Sequence, residues 1–278
     1  MATIEQLLHE AYAHWDDGAL LSRLGQEIHD RNRLDHAQRV LGRAVELTPD
    51  DVDAALQLRY RVFNLEMREG LASSHQTGRD QDPFDATCHH LLVEDRSEGR
   101  VIGTYRMQTR EMASACGGFY FAGEFDLGAL PAEVVDRAVE VGRACIEKPY
   151  RTRQVLFLLW KGLATYLTHF DKRYLFGCCS LSEQDPAEGI RVLRYLTGQG
   201  QLHPDIRVTP RAGLECRPEA EVPAAAGEVS IPLLFGTYLR YGAMICGAPA
   251  IDREFGTIDF FVVLDVERLA PDLRRLFF

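Results

Sequence analysis

The pattern of apolar and polar positions along the chain predicts helices and strands that alternate. Apolar, β-branched and aromatic runs of about four to nine residues are typical of strands, and longer stretches with apolar residues every three or four positions are typical of helices. We expect strands over residues 40–47, 90–94, 101–107, 119–125, 138–146, 174–179 and 257–263. We expect helices over residues 52–67, 131–137, 152–170, 186–196 and 266–276.

The order of these elements indicates an α/β protein with a mixed central sheet flanked by helices. Residues 1–40 are predicted to be a helical N-terminal extension, and residues 41–278 the main domain. Residues 204–232 contain five prolines and are predicted to be a long irregular segment, a candidate flap over an active site. Rossmann and P-loop folds are excluded because neither G-x-G-x-x-G nor GK[ST] follows any predicted strand.

The net charge of the chain argues against nucleic acid as a partner. The chain has 31 Lys and Arg against 41 Asp and Glu, a net charge of −10, so it has no global basic field for nucleic acid. No run of about 18 apolar residues and no secretory signal is visible, so we expect a cytoplasmic protein with at most peripheral contact to the inner membrane. The seven cysteines lack C-x-x-C spacing, which favours reduced, buried thiols over a zinc site or disulfides.

The strands predicted over 90–94 and 101–107 are expected to form a hairpin. Two groups of candidate residues precede it. Arg59 and Phe63 are four positions apart in a predicted helix, so a cation and an aromatic ring share one face. Further on, Asp82 and Asp85 flank Pro83 in an acidic run that suits the binding of amines. Spacing alone leaves open an exposed arginine over a core phenylalanine in the first group and a solvated turn in the second.

The third group lies within the predicted strand 138–146. Strict alternation would place Glu140 and Arg143 on opposite faces, but a bulge near Gly142 would bring both charges to one cleft. Charged residues are costly in a buried strand unless they are paired or functional. We therefore expect Glu140 and Arg143 to be either catalytic residues or a structural ion pair.

A basic patch follows this strand. Residues 143–173 hold seven lysines and arginines against Glu147 and Asp171, in a chain that is acidic as a whole. Arg151 and Arg153 stand at the start of the long predicted helix 152–170, whose first N–H groups favour an anion such as phosphate. The alternative is a solvated basic face.

These residues resemble the acyltransferases of the GNAT fold. The strand, basic turn, helix and strand over 139–179 are similar to the acyl-CoA core of that fold, although the segment 151–156 lacks both glycines of the usual phosphate loop Q/R-x-x-G-x-G/A. The chain also shares three spaced pairs with acyl-homoserine-lactone synthases, which take acyl groups from acyl carrier protein. These pairs are Arg59 with Phe63, Asp82 with Asp85, and Glu140 with Arg143.

A closer resemblance, over about residues 40–278, is to the hemolysin-like L-ornithine Nα-acyltransferases, which form lyso-ornithine lipid. The supporting segments include Leu58-Arg59-Tyr60-Arg61-Val62-Phe63, Gly123-Glu124-Phe125-Asp126-Leu127, Gly142-Arg143-Ala144-Cys145-Ile146, Tyr150-Arg151-Thr152-Arg153 and Phe255-Gly256-Thr257-Ile258-Asp259. This resemblance implies transfer of a 3-hydroxylated fatty acyl group from acyl carrier protein to the α-amine of ornithine. It implies no metal or redox cofactor, because phosphopantetheine arrives on the carrier protein.

The resemblance also implies roles for the candidate residues. We expect Glu140 to be the general base, with Arg143 beside the oxyanion. The residues expected to bind the acyl donor are Arg59, Phe63, Arg151, Arg153 and Lys161, and those expected to orient the acceptor amines are Asp82 and Asp85. Three alternatives stay open: a lactone-forming signal synthase, an N-acyltransferase for another amino acid, and a non-enzymatic module that binds carrier protein or lipid.

Overall fold

The structure is a computed structural model that describes residues 47–95, 97–218 and 229–278. The strands are β1 His89–Asp95, β2 Arg100–Thr109, β3 Phe125–Asp126, β4 Ala138–Ile146, β5 Tyr174–Leu181, β6 Thr209–Pro210, β7 Met244–Ile245, β8 Ala250–Asp252 and β9 Thr257–Asp265. The α-helices are α1 Pro49–Tyr60, α2 Ser74–Thr77, α3 Arg110–Ala115, α4 Ala132–Arg137, α5 Arg153–His169, α6 Pro186–Gly198, α7 Leu233–Arg240 and α8 Pro271–Phe277. The predicted helical extension 1–40 and nearly all of the predicted strand 40–47 lie outside the described residues.

One mixed sheet organises the described part of the chain. It has seven strands in the order β1-β2-β4-β5-β9-β7, and β8 also pairs with β9. Strands β4 and β5 are parallel, whereas the other neighbouring pairs are antiparallel. This arrangement confirms the predicted α/β class and the predicted hairpin, which is β1 and β2.

Helix α5 connects the two parallel strands and supplies much of the core. The hydroxyl of Thr152 caps its N-terminus by accepting a hydrogen bond from the backbone N–H of Val155. Leu159, Trp160 and Leu163 lie on its buried side, in the same hydrophobic cluster as residues of β1, β2 and β9. Helix α5 has 17 residues, and within the described ranges no helix is both long and apolar enough to cross a membrane.

The predicted helix 52–67 changes its winding partway. Thr48 and Asp51 exchange the reciprocal hydrogen bonds of a capping box at the start of α1. From Arg61–Met67, however, the backbone winds as a π-helix, a wider form that is frequently found at functional sites. The change places Arg59 and Phe63 in different types of helix, so a simple four-residue repeat does not describe their surroundings.

Two other predicted elements differ from the structure. Residues 119–125 form a strand only at Phe125, in β3, because a 3₁₀ turn covers Tyr120–Gly123. The Glu140 side chain accepts hydrogen bonds from backbone N–H groups at the start of that turn. The predicted C-terminal helix is interrupted before α8, since Pro271 lacks an N–H and favours the first turn of a new helix.

Strands β4 and β5 pair only along their first halves. The register joins Ala138, Val139 and Glu140 to residues 174–176, and no pairing between the two strands is described beyond that point. Gly177 directly follows the last residue of β5 that pairs with β4. A Cβ at this position would overlap the carbonyl oxygen of Val141. A glycine is therefore required where β5 passes β4 and the two strands cease to pair.

Candidate active site

A cavity of about 770 Å³ lies between the unpaired halves of β4 and β5 and extends below α5 and α7. Its volume is within the range of roughly 300–1,000 Å³ that is typical of small-molecule sites. The apolar part of its lining includes Phe157, Leu159, Trp160, Leu163, Phe235, Tyr238, Val262 and Leu264. Such walls favour an alkyl chain over water.

The bulge that the sequence allows near Gly142 is present, although of the two charges only Arg143 lines the cavity. Gly142 pairs with Arg106 on β2 and Cys145 pairs with Thr104, so Arg143 and the following residue face Tyr105 alone. Arg143 has a φ of 50°, in the left-handed region that is uncommon for residues with a side chain. The surrounding structure holds this conformation, and the bulge re-aims the Arg143 side chain.

Glu140 lies against the 3₁₀ turn at residues 120–123. Its two carboxylate oxygens accept hydrogen bonds of 2.9 Å from the backbone N–H groups of Tyr120 and Phe121. Burial raises the pKa of Glu140 to about 7, although the two N–H groups and Arg106 lower it. Glu140 does not itself line the described cavity, but Phe121 and Val141 beside it do.

Arg143 contacts the same turn from the other side. Its guanidinium donates to the Tyr120 hydroxyl and to Asp82, both at 3.1 Å. It also stacks over the ring of Tyr120 at 4.8 Å and the ring of Phe255 at 4.6 Å. Glu140 and Arg143 therefore do not form an ion pair with each other in the described contacts. Both side chains contact the turn that carries Tyr120, and this turn forms part of one wall of the cavity.

A buried network of opposite charges supports this wall. Its members are Arg59, Arg106, Arg143, Asp80, Asp82 and Asp85. Arg59 is completely buried and donates to Asp85 at 2.6 Å and to Asp80 at 2.9 Å. Burial alone raises the pKa of Asp85, yet Arg59 and Arg106 hold it far below its ordinary value. Asp85 therefore stays ionised inside the protein.

This placement differs from the surroundings that the sequence predicts for Asp82 and Asp85. Both carboxylates face arginines instead of the cavity, and neither is among its lining residues in the described structure. Each of the two carboxylates also accepts a hydrogen bond from the backbone N–H of the other residue. Asp82 and Asp85 thus form a capping box on the 3₁₀ turn Pro83–Ala86. Their role toward an acceptor amine stays a prediction, and their contacts in the structure are those of a scaffold.

The residues predicted to bind the donor separate into two sets. Phe63, Arg151 and Arg153 line the cavity, with both arginines exposed. Arg151 also forms a two-pronged ion pair at 2.8 Å with Glu66 of the π-helix. Arg59 lies in the buried network. Lys161 donates instead to the carbonyl oxygen of Phe277 at 2.9 Å, because it lies two turns along α5 from Arg153.

One part of the cavity is acidic, and its residues were not among the predicted site residues. Its carboxyl groups belong to Glu69, Glu124, Asp252 and Asp259. Burial raises the pKa of Glu69, and burial together with neighbouring carboxyl groups raises the pKa of both Glu124 and Asp259. One signal was available in the sequence. Asp259 interrupts the apolar run 257–263, just as Glu140 interrupts the run 138–146.

Comparison with known families agrees with this geometry. A family model described as "Acetyltransferase (GNAT) domain" matches residues 58–161, which include the end of α1, the bulged strand β4 and the first half of α5. Among solved structures, the chain is similar to the CoA-dependent acyl-homoserine lactone synthase BjaI, at 12% identity and a TM-score of 0.45, over 82% of this chain and 80% of that one. The protein is an acyltransferase with a GNAT fold.

Two curated relatives define the family more narrowly. The L-ornithine N(alpha)-acyltransferase of Brucella abortus (strain 2308) is 34% identical over 232 residues, covering 79% of this chain and 82% of the relative. The L-ornithine N(alpha)-acyltransferase of Rhizobium meliloti (strain 1021) is 34% identical over 258 residues, covering 84% and 85%. The chain belongs to the L-ornithine N(alpha)-acyltransferase family, as its sequence motifs predict.

The buried network predicts a large difference between two arginine substitutions. Arg59→Met leaves Asp80 and Asp85 with an uncompensated buried charge, so we expect a loss of about 3–5 kcal/mol in the free energy of unfolding. The matched control is Arg79→Met, which breaks a half-exposed ion pair with Asp53 and is expected to leave stability nearly unchanged. Urea unfolding measures both, and equal effects would show that the network is not a structural requirement.

Proposed function

We propose that the protein transfers a long 3-hydroxylated fatty acyl group from the phosphopantetheine arm of acyl carrier protein to the α-amine of L-ornithine, giving lyso-ornithine lipid. The observation that carries the proposal is the cavity between β4 and β5, which has apolar walls, exposed arginines and buried carboxyl groups. The names of the curated relatives support ornithine as the acceptor.

The apolar walls suit a fatty acyl chain. Leu159, Leu163 and Phe235 come from two helices, α5 and α7, and Val262 and Leu264 come from β9. Each methylene that leaves water gains about 0.8 kcal/mol, so a chain of many carbons binds such walls strongly. A short acyl group such as acetyl would leave most of this apolar surface unused.

The exposed arginines suit a carrier protein as donor. Arg151 and Arg153 stand at the N-terminal end of α5, where free backbone N–H groups add to the positive potential. Arg240 on α7 lines the same cavity. A phosphopantetheine phosphate and the acidic surface of a carrier protein are both attracted to such a patch.

The proposed reaction is aminolysis of a thioester. The α-nitrogen of the acceptor attacks the thioester carbonyl carbon, the C–S bond breaks, and an amide and a free thiol form. Glu140, whose pKa is raised to about 7, takes the proton that the amine must lose, through an intervening water because it does not line the cavity. Backbone N–H groups of β4 beyond Glu140, where pairing with β5 has ended, stabilise the oxyanion.

The proposed product suggests where the protein works. An acylated amino acid with roughly sixteen carbons prefers a bilayer to water. Met67 and Leu233 line the cavity and are exposed, with Leu233 at 81%, and Leu65 is exposed on the same π-helix as Met67. We propose that this apolar rim touches the inner membrane reversibly from the cytoplasm while product leaves.

Reconstitution tests the proposed reaction. Purified protein, a long-chain 3-hydroxyacyl carrier protein and ornithine labelled with ¹⁵N on the side-chain amine are expected to give one amide, on the unlabelled α-nitrogen. Fragmentation in the mass spectrometer distinguishes the two nitrogens. Acylation of the side-chain amine, or a homoserine lactone formed when S-adenosylmethionine replaces ornithine, would contradict the proposal.

Glu140→Gln tests the proposed base. Removal of one general base is expected to lower kcat by about 10²-fold or more. In the unmodified protein kcat/KM is expected to rise with pH through an apparent pKa near 7, because only the ionised carboxylate accepts a proton, and the variant is expected to lose this rise. If the variant keeps the rise and loses only stability, Glu140 acts as a support for the Tyr120 turn alone.

Charge reversal tests the choice of donor. The double variant Arg151→Glu, Arg153→Glu is expected to raise the KM for acyl carrier protein about 10-fold or more at low salt, with a smaller effect at high salt. Acyl-pantetheine, which lacks the carrier protein, is expected to show little change. Arg268→Glu serves as a control, since Arg268 is exposed and does not line the cavity. An equal effect with both donors would argue against carrier-protein docking at this patch.

A further inference from the structure

Two buried acids meet one thiol at the acidic part of the cavity. Glu124 follows the 3₁₀ turn Tyr120–Gly123, Cys178 lies on β5 and Asp259 lies on β9. One ligand atom from each side chain lies within 4.8 Å of the other two. Polar atoms from three separate parts of the fold therefore lie close together, and all three residues line the cavity.

Both acids keep an oxygen that the protein does not use. Glu124 is 8% exposed and Asp259 is 4% exposed. Glu124 Oε2 and Asp259 Oδ1 are fully buried and accept no hydrogen bond from a donor group within residues 47–95, 97–218 and 229–278. The two carboxyl groups interact with each other, and Ser180 interacts with Asp259. The other oxygen of Asp259 is held, since Thr257 donates to Oδ2 at 3.3 Å. An unpartnered buried oxygen costs free energy unless a ligand donates to it.

The charges around this pair also lack balance. Asp252 and Glu69 line the same cavity and add to its negative potential. One cation that acts on Glu124 is Arg143, whose guanidinium is also paired with Asp80 and Asp82. The described surroundings of Glu124 and Asp259 therefore favour a ligand that brings its own positive charge and hydrogen-bond donors.

An ammonium group has the geometry that this pair requires. Charge-assisted N–H···O bonds measure about 2.8 Å. Two acceptors in tetrahedral directions around one nitrogen are then roughly 4.6 Å apart. The ligand atoms of Glu124 and Asp259 lie no more than 4.8 Å apart, so one ammonium group can reach both. The same three side chains could also ligate a metal ion, and titration with metal ions separates the two occupants.

We infer that Glu124 and Asp259 bind the side-chain ammonium group of a dibasic acceptor amino acid and so select for an acceptor with a second amine. This inference rests on the proposed function, and it names the part of the cavity that recognises the acceptor. With the distal amine at Glu124 and Asp259, the α-amine is left free to react at the β4 bulge. The selection is strong because an acceptor without the second amine leaves the buried oxygens unpaired.

Calorimetry with two amino acids of equal length tests the inference. Ornithine and norvaline differ only by the side-chain amine, and both can be titrated into the full-length protein without a donor. The unmodified protein is expected to bind ornithine about 10²-fold more tightly than norvaline. Glu124→Gln and Asp259→Asn are each expected to reduce this preference at least 10-fold. Glu98→Gln, which removes an exposed carboxylate from the β1–β2 turn, is expected to keep it.

The outcomes separate this inference from the proposed function. If the unmodified protein binds both amino acids equally or neither, or if both variants keep the full preference while circular dichroism shows them folded, the inference is wrong. If Zn²⁺ or Mg²⁺ binds stoichiometrically and both variants abolish that binding, the pair is a metal site and the inference is likewise wrong. If the expected preference is found but acyl carrier protein gives no turnover, the inference stands and the proposed donor is wrong.

Discussion

The structure depends on the mutual neutralisation of three arginines and three aspartates whose side chains are buried or nearly buried. Taking one such charge out of water costs several kcal/mol, and only close opposite charges repay that cost. Arg59 comes from α1, Arg106 from β2 and Arg143 from β4, and the aspartates come from one short segment, 80–85. The network therefore ties a helix, two strands and a loop together at one point, next to the cavity.

The same network holds the distorted part of β4. Arg143 takes a left-handed backbone conformation that an isolated strand would not adopt, and its guanidinium is fixed by Asp82 and by the ring of Tyr120. The turn at Tyr120 is fixed in turn by Glu140. These contacts thus connect the charge network, the β4 bulge and the wall of the cavity. The opening between β4 and β5 lies beside them.

The sequence was sufficient for the fold class and most elements, because hydrophobic periodicity is a local signal. A glycine beside two charges in an apolar strand indicated where a bulge could form. It was not sufficient for the surroundings of Asp82 and Asp85. Carboxylates in a polar run give no sign that Arg59 and Arg143, more than twenty and more than fifty positions away, will neutralise them. The π-helix also escaped prediction, since its residues keep an ordinary helical pattern. Asp259 was detectable in principle, as a lone charge in an apolar run, but its partner Glu124 lies in a turn with no such contrast.

The distribution of charge along the cavity agrees with a reaction of two substrates. In the proposed reaction the exposed arginines attract an anionic donor, the apolar walls bind its acyl chain, and the buried acids bind a cationic acceptor. A crystal structure with ornithine and a non-hydrolysable acyl-pantetheine thioether tests this account most directly. It predicts the side-chain nitrogen of ornithine within about 3 Å of Glu124 and Asp259, with the α-nitrogen facing the acyl carbonyl at the β4 bulge. Ornithine bound instead at Asp82 and Asp85, or an acyl chain outside the cavity, would contradict it.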